Sequence, residues 1–522
     1  MNLIRTPLRY GLMWLEGWFD KAYGADWNPL YCLGGLGYFY FWIVTVSGVY
    51  VYIFFDTGIP DAYLSVEMLS NEYWWHGGVM RSLHRYASDA LVVMAALHIV
   101  REFSFDRYRG NRWFSWVTGI PMLWMVIAAG ISGYWLVGDK LGQYVAVTST
   151  ELLDWIPIFG EPIARNFLAP TYLDGRFFTL LVFIHIAVPL IMLFVMWIHL
   201  QRVAHSRHNP PRGLAIGTLL MLLVLSIVWP AESQGIQDLS QIASPVNLDW
   251  FYLWVFPLAD LWGPGAIWIG SFAATMFLMI MPWLPPLKRE AVAVVHLDHC
   301  NGCTRCEVDC PFSAITMQPR SDGSAFDREA VVDPDLCLSC GICVGSCPTA
   351  TPFRRAGNLL PGIDLPGLTL ARLRGRTEAA CATLDGPGRV LVFGCDHALS
   401  TAKVTGPGIG AVSLPCAGML PPSFIDYVIS HNLADGVVVS GCRRGECHYR
   451  LGQEWLVERL DGERDPRLRK RVPRERIAQI WAAPTDRRRF NREVADFRKS
   501  LENLPSREGL ETDPESGREV VE

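Results

Sequence analysis

Long apolar runs dominate the chain up to residue 288, and short polar connections separate them. As helices these runs are long enough to cross a hydrocarbon core of about 30 Å, unlike most helices of a soluble core. We therefore predict six membrane-spanning helices, at residues 31–55, 79–101, 114–138, 177–200, 213–230 and 264–284.

Beyond residue 288 the apolar runs become short and alternate with polar turns. Three strand-like runs each end at a cysteine, namely RVLVFGC at Cys395, GAVSLPC at Cys416 and GVVVSGC at Cys442. The helical stretch PPSFIDYVISHNLADG lies between the last two. Alternating strands and helices predict a small parallel sheet, whose carboxyl edge gathers the three cysteines.

Positive charge predicts the orientation of the spans. The connections 101–113 and 201–213 carry four and three arginines, whereas the connections 56–77 and 231–249 contain neither Lys nor Arg. Because Lys and Arg remain on the cytoplasmic side, we expect both termini there and the connection 139–176 outside.

Two further stretches predict helices at the membrane surface. The opening stretch MNLIRTPLRYGLMWLEGWF combines basic and aromatic residues, which is typical of an interfacial amphipathic helix and not of a cleavable signal peptide. The stretch LLDWIPIFGEPIARNFL, inside the connection 139–176, predicts helical segments lying on the outer surface.

Four histidines lie inside the predicted spans as two pairs with equal separation. His84 and His98 are fourteen residues apart, and so are His185 and His199. Fourteen residues rise about 21 Å and make nearly four turns, so both members of a pair share one helix face. Two such helices that face each other create two stacked His–His sites, each able to hold a heme iron. A packing or proton-relay role is the alternative for a single membrane histidine.

Glycines repeat the same period. Gly34 and Gly48 are fourteen residues apart in the first span, and Gly119 and Gly133 are fourteen apart in the third. Glycine lets a porphyrin edge approach the helix closely. Helix–helix packing is the alternative explanation for glycines in a membrane.

Thirteen of the fourteen cysteines follow residue 299, in tight clusters that favour metal ligation. HCNGCTRCEVDCP and LCLSCGICVGSCP both read C-x2-C-x2-C-x3-C-P, the bacterial two-cluster ferredoxin pattern. Zinc is the alternative for a single C-x-x-C. With the usual exchange of the fourth ligand, two [4Fe–4S] clusters are predicted, one held by Cys300, Cys303, Cys306 and Cys347 and one by Cys337, Cys340, Cys343 and Cys310.

Cys447, in CRRGECHYRLG, joins the three cysteines of the predicted sheet edge. Four converging cysteines suit a [2Fe–2S] cluster held by Cys395, Cys416, Cys442 and Cys447. Tetrahedral zinc remains the alternative at this site.

Residues 1–286 resemble cytochrome b of the quinol-oxidising bc complexes, on the stretches GGVMRSLHRYASDALVVMAALHIV and SGYWLVGD. The resemblance implies that His84 and His185 ligate an outer heme b and that His98 and His199 ligate an inner, cytoplasmic one. It also implies that Arg81 pairs with a heme propionate.

The family's Pro-Glu-Trp-Tyr motif at its outer quinol site is altered here. In SPVNLDWFYLW the corresponding residues are Asp249, Trp250 and Phe251, so the carboxylate is kept and the proline is lost. The resemblance implies that Asp249 exchanges a proton with a quinone. An exposed loop aspartate is the alternative.

Residues 388–456 resemble the delta iron–sulfur subunit of methyl-viologen-type hydrogenases, most clearly in ADGVVVSGCRRGECHYRLG. This resemblance implies electron exchange with a cytosolic FAD-containing flavoprotein related to heterodisulfide reductase, or with a dehydrogenase. The family often has another cysteine near its first ligand, whereas GCDHALS here leaves Cys395 alone.

The predicted fold class is an all-α membrane bundle of about six helices, followed by an α+β ferredoxin-like domain and a small α/β parallel-sheet domain. The predicted boundaries are 1–288 for the diheme membrane domain, 289–351 for the ferredoxin domain, 352–387 for a linker, 388–456 for the delta-like domain and 457–522 for a charged tail. Within the tail, DRRRFNREVADFRKSLENL predicts an exposed helix.

Together these features predict the electron-transfer subunit of a quinone oxidoreductase complex in a bacterial cytoplasmic membrane. Its cofactors would be two heme b, two [4Fe–4S] clusters, one [2Fe–2S] cluster and quinone. No G-x-G-x-x-G fingerprint follows a strand, so no dinucleotide or substrate-dehydrogenase site is expected, and no nucleic-acid partner.

Alternatives remain at this point. In one alternative, the chain oxidises quinol beside a Rieske protein. In another, it passes electrons from quinol to a cytosolic acceptor. In a third, it is a structural anchor with vestigial hemes. The resemblance also allows a homodimer that forms through the cytochrome b part.

Overall fold

The computed structural model describes residues 2–58, 60–158, 175–201, 203, 205–285, 291–355, 359–404 and 406–504. The chain forms two compact units. The first comprises Met1–Arg9 with Ala22–Leu287, and the second comprises Tyr10–Lys21 with Lys288–Glu522. The boundary between the two units near residue 288 therefore coincides with the change in the hydrophobic pattern of the sequence.

Helices occupy all six predicted spans. They are α2 (Leu33–Ile53), α4 (Val79–Ser104), α5 (Trp113–Leu136), α7 (Gly175–Leu200), α8 (Arg212–Val228) and α10 (Pro264–Ile280), and the helix α1 (Asn2–Tyr23) precedes them. Among the described residues, the segments around α2, α5, α7 and α10 are long and apolar enough to cross a membrane. α8 is apolar but has 17 residues, and α4 carries charged residues. Four crossing helices are thus supported, and six stays a prediction.

Three further helices lie in the connections of this unit: α3 (Asp61–Asn71), α6 (Lys140–Asp154) and α9 (Val255–Trp262). α6 precedes the stretch 152–168 that was predicted to be helical and overlaps it only at residues 152–154. The rest of that prediction falls largely on residues 159–174, outside the described residues. α3 and α9 were not predicted.

Each helix with the repeated glycines packs along a helix with the repeated histidines. α2 packs against α4, and α5 packs against α7. Large apolar side chains such as Leu36, Phe41 and Leu91 fill the core between these helices. The membrane unit therefore contains two glycine–histidine helix pairs.

The second unit begins with two small antiparallel sheets. β2 (Ile315–Pro319) pairs with β3 (Arg328–Val332), and β1 (Val294–Val295) pairs with β4 (Ile363–Asp364). The short helices α11 (Arg305–Val308) and α12 (Ile342–Ser346) lie within the two cysteine motifs and carry Cys306 and Cys343. The stretch 352–387, predicted as a linker, contains β4 and the helix α13 (Leu370–Ala382), so it is an ordered part of the fold.

A four-stranded parallel sheet completes the second unit. Its strands are β5 (Val390–Cys395), β6 (Ile409–Leu414), β7 (Gly436–Gly441) and β8 (Ile477–Trp481), in the order β6-β5-β7-β8. The helices α14 (Pro422–Ser430), α15 (Gly452–Asp461) and α16 (Arg487–Glu502) accompany it. The predicted parallel sheet is present, but the prediction of three strands missed β8.

The sheet thus continues into the stretch that we predicted to be a charged tail. β8 pairs with β7 in parallel register, with Val437 opposite Ile477. α16 buries Phe490, Val494 and Leu501 in the same cluster as Val390. The helix itself was predicted correctly, but one of its faces is part of the core.

We expect Phe490→Ala to destabilise the parallel sheet. Phe490 is 1% exposed, and removing such a side chain costs roughly 3–5 kcal/mol, so amide hydrogen exchange in β7 should accelerate by about a hundredfold or more. Arg488→Ala, at an exposed position of the same helix, is the matched control. Equal exchange rates in both variants would mean that α16 does not support the sheet.

Candidate metal centres

His84 on α4 and His185 on α7 face each other across a gap that fits one metal atom. Their ring centroids are 6.3 Å apart, with an angle of 63° between the ring planes. A metal–nitrogen bond of about 2.0 Å on each side, plus about 1.1 Å from each nitrogen to its ring centre, gives roughly 6.2 Å. The distance between the two rings therefore matches that of two imidazoles that bind one metal atom from opposite sides.

Hydrogen bonds orient these rings through their Nδ1 atoms. The Nδ1 of His84 lies 2.9 Å from the carbonyl oxygen of Val44 and 3.3 Å from the hydroxyl of Ser47. A carbonyl only accepts, so Nδ1 carries the hydrogen and Nε2 keeps a free lone pair. A metal-binding imidazole needs this tautomer.

The two histidines of α7 are held in the same way by hydroxyl groups of α5. Nδ1 of His185 lies 3.0 Å from the Ser132 hydroxyl, and Nδ1 of His199 lies 3.1 Å from the Thr118 hydroxyl. Each hydroxyl already donates its hydrogen to a backbone carbonyl on its own helix, at 3.0 Å and 2.8 Å respectively. Each therefore accepts from the imidazole, which leaves Nε2 free for a metal.

In the second predicted pair, His98 lies within electrostatic range of His199. That the four histidines are heme ligands stays a prediction. Their assignment to an outer and an inner heme stays a prediction.

The repeated glycines lie directly against the imidazole rings. A Cβ atom on Gly48 would lie 2.8 Å from Cε1 of His84, and one on Gly133 would lie 3.0 Å from Cε1 of His185. A Cβ atom on Gly119 would lie 3.4 Å from His199, and one on Gly34 would lie 3.6 Å from His98. The glycines were predicted to make room for the porphyrin, and the neighbours that the structure gives them are the histidines themselves.

Three hydroxyl residues of this arrangement were not identified from the sequence. Ser47, Thr118 and Ser132 immediately precede Gly48, Gly119 and Gly133. A Ser/Thr-Gly dipeptide repeated at the glycine period was the signal that could have found them. Leu33, before Gly34, interrupts the pattern.

Arg81 is held by protein groups one turn before His84. Its guanidinium donates to the hydroxyls of Ser70 and Ser233, the latter at 2.8 Å, and lies 3.7 Å from a carboxylate oxygen of Glu67. The predicted contact with a heme propionate stays a prediction.

Asp249 is buried, which excludes the alternative of an exposed loop aspartate. The residue is 7% exposed. Its Oδ2 accepts from the Tyr134 hydroxyl and lies 3.4 Å from Nη2 of Arg85, and its Oδ1 accepts from the Phe251 amide at 2.7 Å. This carboxylate therefore belongs to a polar cluster inside the first unit.

The ferredoxin cysteines assemble into the two sets that the motif spacing predicts. Burial and, to a smaller extent, the neighbouring thiols of Cys347, Cys303 and Cys300 raise the pKa of Cys306 to about 12. Because buried thiols resist ionisation, thiolates here require a bound cation.

The second set is equally compact. Burial raises the pKa of Cys343, with contributions from Cys340, Cys337 and Cys310. These four cysteines line one cavity. In both sets, three cysteines of one motif lie with the fourth cysteine of the other motif, but the ligand assignment itself stays a prediction.

The remaining four predicted ligands meet at the carboxyl edge of the parallel sheet. Cys416 and Cys442 lie close enough to Cys395 to influence its ionisation. Cys416 lies equally close to Cys447. The sequence prediction of convergence at this edge therefore agrees with the geometry.

A pair of stacked histidines next to this site was not predicted. The rings of His397 and His448 are 3.6 Å apart and nearly parallel, at 7°. His397 lies two residues after Cys395, in the stretch where the resembled family often has another cysteine, and His448 directly follows Cys447.

Comparisons with known proteins support this division of the chain. Family models match residues 19–207 (cytochrome b/b6/petB), residues 299–351 (4Fe-4S dicluster domain) and residues 390–505 (methyl-viologen-reducing hydrogenase, delta subunit). The last match extends through β8 and α16, beyond residue 456.

Individual relatives resemble the first part. Cytochrome b6 of Euglena gracilis is 30% identical over 138 residues, and that of Porphyra purpurea is 29% identical over 138 residues. Each alignment covers 26% of this chain and 64% of the relative, so the chain spans just under two thirds of these proteins. A chain of a solved hyperthermophilic respiratory Complex III aligns with a TM-score of 0.41 and 18% identity, over 50% of this chain and 77% of that one.

The chain therefore carries a cytochrome b/b6 domain, a 4Fe-4S dicluster domain and a delta-subunit domain, in that order. These domains support a membrane electron-transfer subunit of an oxidoreductase complex that uses heme b and 4Fe–4S groups.

The glycine contacts generate a graded prediction. Gly48→Ala and Gly133→Ala should each remove the heme of the His84–His185 pair, because the added methyl overlaps a ring that cannot move while it binds iron; the heme content should fall by about half. Gly34→Ala should keep both hemes, since its Cβ has room. Heme per chain and the reduced-minus-oxidised spectrum measure the result.

Gly217→Ala on α8 is the matched control, because nothing lies within 4 Å of its Cβ position. If Gly34→Ala lost as much heme as Gly48→Ala, close contact with the imidazole rings would not explain why glycine stands at these positions.

Proposed function

We propose that this chain connects a cytosolic redox protein to the membrane quinone pool, with quinone as the electron acceptor. The cytosolic partner would be an FAD-containing subunit related to heterodisulfide reductase, or a dehydrogenase, that meets the delta-subunit domain. The observation that carries the proposal is that one chain combines neighbouring cysteine sets in its second unit with paired histidines along the helices of its first unit.

The residues present fit the groups that these domains imply. His84 with His185 and His98 with His199 would hold two heme b, and Arg81 would neutralise a propionate. The two ferredoxin sets would hold [4Fe–4S] clusters, and Cys395, Cys416, Cys442 and Cys447 would hold a [2Fe–2S] cluster. When bound, these groups accept and release single electrons.

The resemblance of residues 388–456 to a delta iron–sulfur subunit supports a [2Fe–2S] cluster over zinc at the sheet edge.

The three cysteine sets follow one another in a defined order. Cys447 of the sheet edge acts electrostatically on Cys340, and Cys306 acts on Cys343. A Cβ atom on Gly452 would collide with Sγ of Cys416 and would lie 3.0 Å from Cδ1 of Ile342. The set containing Cys340 and Cys343 therefore lies between the other two.

Glycines and a buried ion pair hold the sheet edge against this middle set. A Cβ atom on Gly345, beside Cys343 in the middle set, would collide with the Gly418 carbonyl oxygen, so the backbones of the middle set and the sheet edge touch. Arg459 is fully buried, pairs with Asp309 beside Cys310, and donates to the Gly418 carbonyl at 3.0 Å. The short distance between the sheet-edge cysteines and the middle set thus depends on residues that allow close backbone contact.

At the membrane end, Asp249 would supply a proton to the quinone. It is buried in a polar cluster and belongs to a connection that we predict to be outside. Electrons that leave the cytoplasm for an outer quinone follow the membrane potential, about 2.3 kcal/mol per 100 mV, and the protons come from outside. Quinone reduction at this site would therefore consume proton-motive force.

The close backbone contact predicts the effect of Gly345→Ala. Its methyl group would collide with the Gly418 carbonyl and must separate the middle cysteine set from the sheet edge, so electron transfer from a donor at the delta-subunit domain to heme should slow several-fold, while iron content remains normal. Stopped-flow heme reduction and the magnetic coupling between the reduced clusters measure this. Gly375→Ala, with nothing within 4 Å of its Cβ position, is the control.

Sealed vesicles test the proposed function itself. Donor-driven quinone reduction should be slowed by an uncoupler if quinone is reduced on the outer side. An unchanged rate would indicate a quinone site on the cytoplasmic side. Absence of any donor-driven quinone reduction, together with co-purification of a Rieske protein, would replace the proposal with quinol oxidation.

A further inference from the structure

Arg459 is a fully buried cation at the junction of two cysteine sets. It lies on α15, and its exposed fraction is 0%. Its Nη1 donates to the Gly418 carbonyl at 3.0 Å, and its Nη2 pairs with the carboxylate of Asp309. Arginine is almost never buried completely, and burying its charge is costly even with a partner. Neither the sequence motifs nor the family resemblances assign a role to this residue.

The guanidinium of Arg459 contacts residues beside predicted ligands of both sets. A Cβ atom on Gly345 would lie 2.7 Å from its Nη1, so this glycine lies against it as well. Each of three contacting residues is within two positions of a predicted ligand: Asp309 precedes Cys310, Gly345 follows Cys343 and Gly418 follows Cys416. The first two ligands belong to the middle set and the third to the sheet edge. One buried positive charge is therefore common to the two sets.

The protein uses only part of the hydrogen-bonding capacity of Arg459. Its Nε is buried and has no hydrogen-bond partner within the described parts of the chain. Asp309 is shared with a second cation, because Arg464 binds the same carboxylate at 2.7 Å. A buried donor without an acceptor is costly, and a nearby anionic group removes that cost. Four thiolate ligands make a bound iron–sulfur cluster such a group.

We propose that Arg459 is a positioning residue for electron transfer, whose charge favours the reduced state of the clusters on both sides of it and keeps their reduction potentials close. One electron leaves one cluster and enters the other, so the first is oxidised and the second reduced, while no bond forms and no proton moves. Because an added electron is a negative charge, a fixed buried cation stabilises it at either position. This role rests on the clusters of the proposed function and not on its quinone acceptor.

A redox titration of the purified, cofactor-loaded full-length protein, followed by electron paramagnetic resonance, measures this effect. Arg459→Gln should lower the potentials of the [2Fe–2S] cluster and of one [4Fe–4S] cluster, and leave the other [4Fe–4S] cluster unchanged. At a fixed potential the ratio of reduced to oxidised cluster should fall about tenfold, which is about 59 mV for one electron. Arg459→Lys should restore most of this shift, because it keeps the charge.

Asp309→Asn changes the same ion pair with the opposite sign. The amide keeps the shape of the side chain and removes its negative charge, so both potentials should rise. If the ion pair only held the backbone in place, Arg459→Gln and Asp309→Asn would disturb the clusters in the same direction. Potentials that do not move in Arg459→Gln with full iron content, or that fall in both variants, overturn the proposal. Asp309→Asn decides alone if Arg459→Gln does not assemble its clusters.

Arg464→Gln is the matched control, since it removes a cation bonded to the same carboxylate. The side chain of Arg464 is 27% exposed and also pairs with Glu458, so water and a second partner screen its charge. Its removal should change the potentials little. An equal shift in Arg464→Gln and Arg459→Gln would mean that the total charge, and not the buried guanidinium, determines them.

Iron content and quinone reduction, measured on the same preparations, separate the two claims. Clusters that show the expected shifts without quinone reduction would refute the proposed acceptor and leave the role of Arg459 intact. Quinone reduction with unshifted potentials would exclude that role and leave the acceptor intact. A protein without iron in the sheet-edge and middle sets would refute both the proposed clusters and the role of Arg459.

Discussion

The hydrogen bond at the Nδ1 atom of each α7 imidazole and of His84 is the constraint on which the membrane unit depends. It keeps the hydrogen on Nδ1, so that Nε2 is free for a metal. This requires a hydrogen-bond acceptor close by on the neighbouring helix. Val44 and Ser47 supply it from α2, and Ser132 and Thr118 supply it from α5. The glycine that follows each hydroxyl then lets the ring lie against the helix. Helix pairing, ring orientation and the small side chain are therefore parts of one requirement.

The second unit meets an opposite difficulty, because its cysteines are too buried to ionise alone. Burial raises the pKa of Cys306, Cys340 and Cys343 above the usual range of a thiol. Iron supplies the missing positive charge, so the fold and its clusters depend on each other. The ion pair of Arg459 with Asp309 lies beside this region, and breaking such a buried pair costs about 3–5 kcal/mol.

Local spacing could be predicted from the sequence, and contacts between distant segments could not. The six helices and the convergence of Cys395, Cys416 and Cys442 follow from periodicity and from the rule that parallel strands share a carboxyl edge. β8 was missed because the charged stretch RVPRER precedes it and hides a five-residue strand. The contacts of Asp249 with Tyr134 and Arg85 join segments that lie far apart in the sequence, and they became visible only in the fold.

α4 illustrates why hydropathy alone undercounts the spans of a redox protein. Four described segments pass as apolar crossings, and α4 does not, although it carries His84 and His98. Its arginines have partners inside the unit, because Arg81 bonds to Ser70 and Ser233 and Arg85 lies 3.4 Å from Asp249. Placing a charged side chain in a membrane costs less when it has such a partner. α4 also has 26 residues, about 39 Å, which exceeds the hydrocarbon core. Its charged residues therefore lower its hydropathy without arguing against the prediction that α4 is a span.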